Sequence, residues 1–157
     1  NFAQAGMLMF TGAALLAASA RPAAAQQLEG PYTYTVDMKS SMATPPIAGN
    51  ASGHAKMTLD GHMLRYTVSV KDLSGPATMA HIHVGQIGVS GPPVYTFEIK
   101  KVASGNLAQG TIDLSMHPAK GISGDSLKVL LNNGSAYINV HTAAHPGGEM
   151  RGQIVKE

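Results

Sequence analysis

The chain has 157 residues, no cysteine and a formal net charge of +2. This length allows one domain with a sizeable core. The eleven Lys and Arg residues are scattered rather than clustered, so the chain lacks the basic patch of a nucleic-acid-binding protein, and we expect no nucleic-acid partner. The lack of cysteine excludes disulfide bonds, thiolate metal sites and cysteine nucleophiles.

The chain begins with an uncharged apolar run over residues 2–20. A helix of this length spans roughly 30 Å, the thickness of the hydrocarbon core of a bilayer. The run is followed by Arg21-Pro22 and by the small residues Ala23-Ala24-Ala25, a pattern typical of a signal-peptidase site. It is therefore either a cleaved secretory signal or an uncleaved transmembrane anchor, which we favour. We expect residues 1–27 to form this helix and a linker, and residues 28–157 to form one domain in the periplasm or extracellular space.

Alternation of polar and apolar residues predicts about eight β-strands in this domain. The clearest case is a hairpin around Asp60-Gly61, whose second strand has Leu64, Tyr66 and Val68 on one face. Turns rich in Gly and Pro recur at the spacing typical of an antiparallel sandwich or barrel. Strands are predicted over residues 32–39, 55–59, 63–71, 77–84, 94–100, 106–114, 136–142 and 150–155.

One segment departs from this alternation. Residues 126–132 (SLKVLLN) follow Gly124-Asp125 and precede Asn133-Gly134, a pattern that predicts a short helix. The expected fold is therefore all-β, an antiparallel β-sandwich with one short helix after the N-terminal helix. Patterns typical of serine hydrolases and of nucleotide-binding proteins do not occur, so neither class is supported.

Three histidines form a pattern that could bind a metal ion. His81 and His83 flank Ile82 in one predicted strand, and His141 lies in another. Because side chains alternate along a strand, burying Ile82 places His81 and His83 together on the opposite face, and burying Ile138 does the same for His141. If the two strands are neighbours, three imidazoles meet. Imidazole is a good ligand for transition metals, and copper is the metal we expect.

Other residues near this pattern have candidate roles. Met79, His145 and Met150 are candidate additional ligands, and a thioether suits Cu(I). Arg151 is a candidate for guiding an anion to the site, although pairing with Glu149 on the solvent face is the interpretation we favour. A histidine in a strand is more often a surface or hydrogen-bonding residue than a metal ligand, so a structural role for the three histidines also stays open.

Three segments resemble a known family. AHIHVGQIGVSGPPV (residues 80–94), GDSLKVLLNNGSAYINVHT (124–142) and HPGGEMRGQI (145–154) look like the CHRD domain, a module named for its repeats in chordin. The resemblance covers roughly residues 32–155. It implies an antiparallel β-sandwich, in agreement with the strand pattern, and implies much less about function.

A more distant resemblance is to copper/zinc superoxide dismutase. It implies a Greek-key sandwich, in which His81, His83 and His141 match copper ligands in order and Arg151 matches an anion-guiding arginine. The chain departs from that family, because it has no clear counterpart of the bridging histidine or of the zinc ligands after Gly91, and no cysteine pair. We therefore expect no robust dismutase activity.

Two functions follow from these observations. The favoured one is a membrane-anchored, non-catalytic interaction or structural module, an accessory subunit of a larger membrane-protein complex that contacts the bilayer through residues 2–20. The alternative is a periplasmic copper-binding protein with a three-histidine site. The two are compatible and are separated by metal binding and by the partners recovered from the membrane.

Overall fold

Antiparallel β-strands dominate a computed structural model of the chain, which describes residues 30–116 and 119–157. The all-β class, the strand number close to eight and the single short α-helix are as predicted. Two short 3₁₀ turns complete the elements, at Ser40–Met42 and Leu114–Met116. In chain order the strands and helix are β1 (Tyr32–Lys39), β2 (Ser52–Asp60), β3 (Met63–Lys71), β4 (Ala77–Val84), β5 (Pro93–Thr96), β6 (Gly105–Asp113), α1 (Gly124–Asn132), β7 (Ala136–Thr142), β8 (Met150–Gln153) and β9 (Val155–Lys156).

The strands form one hydrogen-bonded sheet in the order β5-β4-β7-β8-β1-β2-β3-β6, with β9 also paired to β1. One half contains β5, β4, β7 and β8, and the other contains β1, β2, β3 and β6. The halves meet where Lys39 of β1 pairs with Arg151 of β8, and where β9 pairs with β1. Because this junction is narrow, the sheet can bend there.

The sheet curls so that its two ends face each other across one apolar core. Tyr66 of β3 packs edge-on against Phe97, just after β5, with ring centroids 4.9 Å apart. The inward faces are those that the alternation predicts, because Leu64, Tyr66 and Val68 are all buried. The result is sandwich-like packing made by a single sheet.

The hairpin between β2 and β3 is confirmed, with its turn one residue later than predicted. Asp60 still pairs with Met63, so the two turn residues are Gly61 and His62. Gly61 has φ of 57°, which a residue without a side chain adopts at no steric cost.

Helix α1 begins two residues before the predicted start. The Ser123 side chain accepts a hydrogen bond from the backbone N–H of Ser126 at 3.1 Å, which caps the first turn. Leu127 and Leu131 are one turn apart and fully buried, so one face of the helix closes an edge of the core.

The predicted signal or anchor helix at residues 2–20 lies outside the described residues. Among residues 30–116 and 119–157, none of the helices has the length and apolar character needed to cross a bilayer.

Candidate metal site

Strands β4 and β7 are neighbours, which is the condition for the three histidines to meet. In their antiparallel register His81 lies opposite Asn139, and His83 lies opposite Tyr137. Met79 lies opposite His141. Ile82 and Ile138 are fully buried in the core, so the histidines share the other face of the sheet, as the strand alternation predicts.

The three imidazoles converge closely. One ring nitrogen from each of His81, His83 and His141 lies within 4.8 Å of the other two. The ring centroids of His81 and His141 are 4.9 Å apart, and those of His81 and His83 are 5.5 Å apart. Metal–nitrogen bonds are about 2.0–2.1 Å long, so small side-chain adjustments would bring the three nitrogen atoms to one metal ion.

Two backbone carbonyls determine which ring nitrogens carry protons. His83 Nδ1 lies 2.8 Å from the carbonyl oxygen of Gly91, and His141 Nδ1 lies 2.8 Å from that of Pro146. A carbonyl only accepts, so both Nδ1 atoms donate and both Nε2 atoms present a lone pair. His81 Nδ1 is 3.0 Å from His141 Nε2 and therefore donates to it. Metal-binding histidines commonly make this kind of carbonyl contact through the other ring nitrogen.

The second nitrogen of His83 is the least expected feature of the cluster. His83 is 8% exposed, and its Nε2 is buried with no hydrogen-bond partner in the described part of the chain. Buried polar atoms are nearly always paired, because removing one from water without a partner costs about 1–3 kcal/mol. Tyr34 Oη and Asn132 Oδ1 are also unpaired among the described residues, and of the three atoms only His83 Nε2 lies in a histidine cluster.

Burial also affects the protonation of the cluster. Desolvation lowers the pKa of His81 to about 4, and the neighbouring His141 and His83 lower it further as like charges. Desolvation lowers the pKa of His83 as well, although its contact with the Gly91 carbonyl opposes the change. The depressed pKa keeps His81 and His83 neutral at pH 7, which is the form that binds metals.

Loops, rather than solvent, cover the histidine face. The sequence predicts an outward face, yet all seven residues of β7 are buried. Residues 85–92 cover His83 and residues 143–149 cover His141, through the two carbonyls described above. His81 is the most accessible of the three and lines a cleft of about 410 Å³ together with Val94 and Lys120.

Glu149 attaches the second covering loop to the sheet. Its carboxylate is 4% exposed and accepts hydrogen bonds from the backbone N–H and hydroxyl of Ser74 and from the hydroxyl of Thr142. Burial acts to raise the pKa of Glu149, but these hydrogen bonds outweigh it and lower the pKa overall. The prediction that Glu149 and Arg151 form an ion pair on the solvent face is wrong, because both side chains are buried and hydrogen-bond to other residues.

Arg151 lies beneath the first covering loop. It is 3% exposed, and its guanidinium donates to the carbonyl oxygens of Gln86 and Val89 and to the Thr44 hydroxyl. The guanidinium carbon also lies 3.5 Å from the centre of the Tyr137 ring. Its hydrogen bonds are thus made within the protein, and its role toward an anion stays a prediction.

The candidate additional ligands lie in different places. Met79 is 44% exposed and is the cross-strand neighbour of His141, so its thioether is beside the cluster. His145 is half-buried in the turn after β7, where its backbone bonds to Thr142. Met150 is fully buried in the core, on the other face of the sheet from the histidines.

The fold and the site together define an antiparallel β-domain with a histidine cluster on one sheet face, and comparison with known proteins identifies its family. The chain belongs to the CHRD domain family, whose family model matches residues 34–154. The resemblance seen in the sequence is therefore confirmed.

Two similar proteins are chordins. The chordin of Xenopus laevis is 34% identical over 128 residues, and that of Danio rerio is 32% identical over 127 residues; each alignment covers 76% of this chain. The chain corresponds to only 12% of the length of either relative, so it is similar to one module of those proteins. No solved structure matches the chain, and the distant likeness to superoxide dismutase stays a prediction.

Proposed function

We propose that this CHRD domain binds one transition-metal ion, with copper as the preferred metal, through His81, His83 and His141. The observation that carries the proposal is the buried, unpaired Nε2 of His83 beside two other imidazoles. A bound cation would supply the missing partner and offset the cost of burying that nitrogen.

The hydrogen bonds indicate which atom each residue would offer. His83 and His141 would bind through Nε2, because their Nδ1 atoms donate to the Gly91 and Pro146 carbonyls. His81 would bind through Nδ1 in its other neutral tautomer, in which the proton now donated to His141 has moved to the Nε2 atom of His81. Metal binding therefore replaces the hydrogen bond between His81 and His141, and it displaces few protons from His81 and His83, because both rings are already neutral at pH 7.

Copper is preferred on two grounds. Imidazole sites bind copper more tightly than zinc in the general order of divalent ions, and the Met79 thioether beside His141 suits Cu(I). We propose metal storage or handling rather than dismutation. The three-histidine set includes no counterpart of a second metal centre among the described residues, and rapid redox turnover needs tuning and proton delivery.

The test is a titration of the full chain with Cu(II), and with Cu(I) under reducing conditions, followed by competition with a chelator. We expect one ion per chain, and at free copper a hundred times the dissociation constant we expect about 2.7 kcal/mol of stabilisation. The His81→Ala/His83→Ala variant should lose both effects.

The matched control is His54→Ala, which removes an exposed histidine from β2 and keeps His62, the hydrogen-bond partner of the buried Lys128 ammonium. It should bind copper as the parent does. If the parent and His81→Ala/His83→Ala bind copper equally weakly, the metal proposal is wrong. If zinc binds more tightly than copper under these conditions, the site stands and the choice of metal is corrected.

A second function is that of an extracytoplasmic interaction module held at a membrane by residues 2–20, acting as an accessory subunit. Two observations favour it. The relatives are modular proteins in which the matching part is a small share of the chain. A groove of about 650 Å³ is lined by exposed apolar side chains, with Met42 46%, Ile87 83% and Val155 56% exposed, a feature typical of protein-binding surfaces.

Purification from the native membrane in mild detergent tests this second function. We expect the chain to be recovered with residues 2–20 intact and with other membrane proteins in fixed proportion. An Ile87→Ser/Val155→Ser variant should lose those proteins while it keeps copper binding, because the groove and the histidines use different side chains. A lone, soluble protein that begins near Gln26 would refute the function as a membrane subunit.

A further inference from the structure

We infer that Tyr137 and Arg151 are positioning residues for the metal site, which fix the plane and the tautomer of His83 through a stack of guanidinium, phenol ring and imidazole. The inference rests on the proposed metal-binding function for its role, but the geometry of His83 can be measured without a metal. Neither residue touches the metal position itself. Each acts through the orientation of His83.

The stack has three layers. The His83 and Tyr137 rings are nearly parallel, with an interplanar angle of 17° and centroids 4.9 Å apart. On Tyr137 the Arg151 guanidinium carbon lies 3.5 Å from the ring centre. A cation over an aromatic face is attracted by the ring, and more strongly where water is excluded. Tyr137 and Arg151 are each 3% exposed, and this close packing limits rotation of the His83 ring.

Tyr137 also holds the residue whose carbonyl sets the tautomer of His83. The Tyr137 hydroxyl accepts a hydrogen bond from the Gly91 N–H at 3.1 Å, and the Gly91 carbonyl accepts from His83 Nδ1 at 2.8 Å. Gly91 cannot be replaced easily, because a Cβ atom there would collide with the Val84 carbonyl oxygen. Tyr137 therefore fixes both the face of the imidazole and its Nδ1 partner.

Arg151 extends this arrangement to the rest of the covering loop. Its two terminal nitrogens donate separately, one to the Val89 carbonyl at 2.9 Å and to Thr44, and the other to the Gln86 carbonyl at 2.6 Å. Only the planar fork of a guanidinium reaches both carbonyls while lying flat on a ring. A lysine would keep the charge, but its ammonium is a single point on a flexible stem and lacks the planar fork that spans the two carbonyls. The arginine fork is thus what holds residues 86–91 over His83.

The experiment compares four variants of the full chain. Tyr137→Leu removes the ring that stacks on His83, Tyr137→Phe keeps the ring without its hydroxyl, and Arg151→Lys keeps the charge without the fork. Tyr34→Leu is the matched control, because Tyr34 is a fully buried tyrosine of β1 that packs in the hydrophobic core. Copper affinity is measured by chelator competition, and the His83 tautomer is measured from imidazole ¹⁵N shifts without copper at pH 7.5.

We expect Tyr137→Leu to weaken copper binding about 10–100-fold, the range typical of residues that orient metal ligands, and to replace the single Nδ1–H tautomer of His83 by a mixture. Arg151→Lys should weaken binding about tenfold, and Tyr137→Phe by about threefold or less, since the stack survives. Tyr34→Leu should lower stability and leave the His83 shifts unchanged. A purely structural role for Tyr137 would give the two leucine variants the same result.

The outcomes separate this inference from the proposed function. If the parent chain does not bind copper, the proposed function fails, and the ¹⁵N shifts still test the positioning of His83. If the His83 tautomer and the copper affinity stay unchanged in both Tyr137→Leu and Arg151→Lys, the inference is overturned. Should Tyr137→Leu fail to fold, Arg151→Lys and Tyr137→Phe still measure the contributions of the fork and the hydroxyl, and an unchanged His83 tautomer and copper affinity in Arg151→Lys would then overturn the inference.

Discussion

Replacing Glu149 by glutamine tests how firmly the loop over His141 is attached. Oε1 of Glu149 accepts from the Ser74 N–H at 2.7 Å, and Oε2 accepts from the hydroxyls of Ser74 and Thr142 at 2.6 and 2.5 Å. These bonds join the β3–β4 connection, the end of β7 and the loop that carries Pro146. Glu149→Gln keeps the shape of the side chain but removes the charge and one acceptor.

The loss of stability expected for Glu149→Gln comes from these three hydrogen bonds. A hydrogen bond to a charged group contributes about 1.5–3 kcal/mol and a neutral one about 0.5–1.5 kcal/mol, so three conversions lower the free energy of unfolding by about 2–3 kcal/mol after partial compensation by the new amide. For a domain of this size that is a fall in Tm of roughly 10 °C. Copper affinity should fall as well, because the same loop presents the Pro146 carbonyl to His141.

The assay is thermal unfolding by circular dichroism at pH 7 and at low pH. The folded pKa of Glu149 lies below its unfolded value, so its stabilisation is present above the unfolded pKa of about 4.3 and is lost as pH falls through the folded pKa. The difference between the parent and Glu149→Gln should therefore shrink on acidification. Glu98→Gln, at an exposed position, is the control and should change Tm little. An equal Tm difference at pH 7 and pH 3, or none at pH 7, would refute the reasoning.

Three further predictions concern stability. The folded pKa of His81, about 4, lies below its unfolded value, so the unfolded chain binds more protons than the folded chain between about pH 6.5 and 4. The Tm of the copper-free chain should therefore fall as the pH is lowered through this window, and the Tm of His81→Gln should fall by less. In Gly152→Ala the new Cβ would collide with the Asp37 carbonyl oxygen, and urea unfolding should show a loss of about 1–3 kcal/mol, whereas Gly75→Ala, in open space, should stay within about 0.5 kcal/mol. Lys128 is 1% exposed, and the cost of removing its charge from water offsets the attraction of that charge to its partners. Lys128→Met should therefore change the free energy of unfolding by no more than about 1 kcal/mol, and a loss of several kcal/mol in the same assay would contradict this.

The strand boundaries were largely predictable because burial with a period of two is a local property of the chain. The predicted bounds of β1, β3, β4 and β7 agree with the structure. Strand β2 extends beyond its predicted bounds of 55–59 at both ends, and the strand predicted over 150–155 is divided into β8 and β9. The largest difference is in the segment predicted over residues 94–100, where strand β5 ends at Thr96. After Thr96 the chain bonds to Ala80 and Leu107 on different strands, and this choice of partners is not local.

The candidate site was predictable only in part. Alternation alone places His81 and His83 on one face of their strand, and His141 on the corresponding face of another. That β4 and β7 are neighbours, so that the three rings meet, depends on pairing between residues about 60 positions apart in the chain. In the sequence that pairing is only a condition, because local alternation does not select which strands are neighbours.

The chain by itself thus determined the strands, the face on which each histidine lies and the CHRD family, because these depend on local alternation and on motif order. The tertiary structure decided that loops bury the histidine face, that Gly91 and Pro146 set the tautomers, and that His83 Nε2 lacks a partner among residues 30–116 and 119–157. It also decided that Arg151 lies over Tyr137 rather than beside Glu149. The physical reason is that burial and hydrogen-bond partners depend on segments that are far apart in the sequence and close only in the folded sheet.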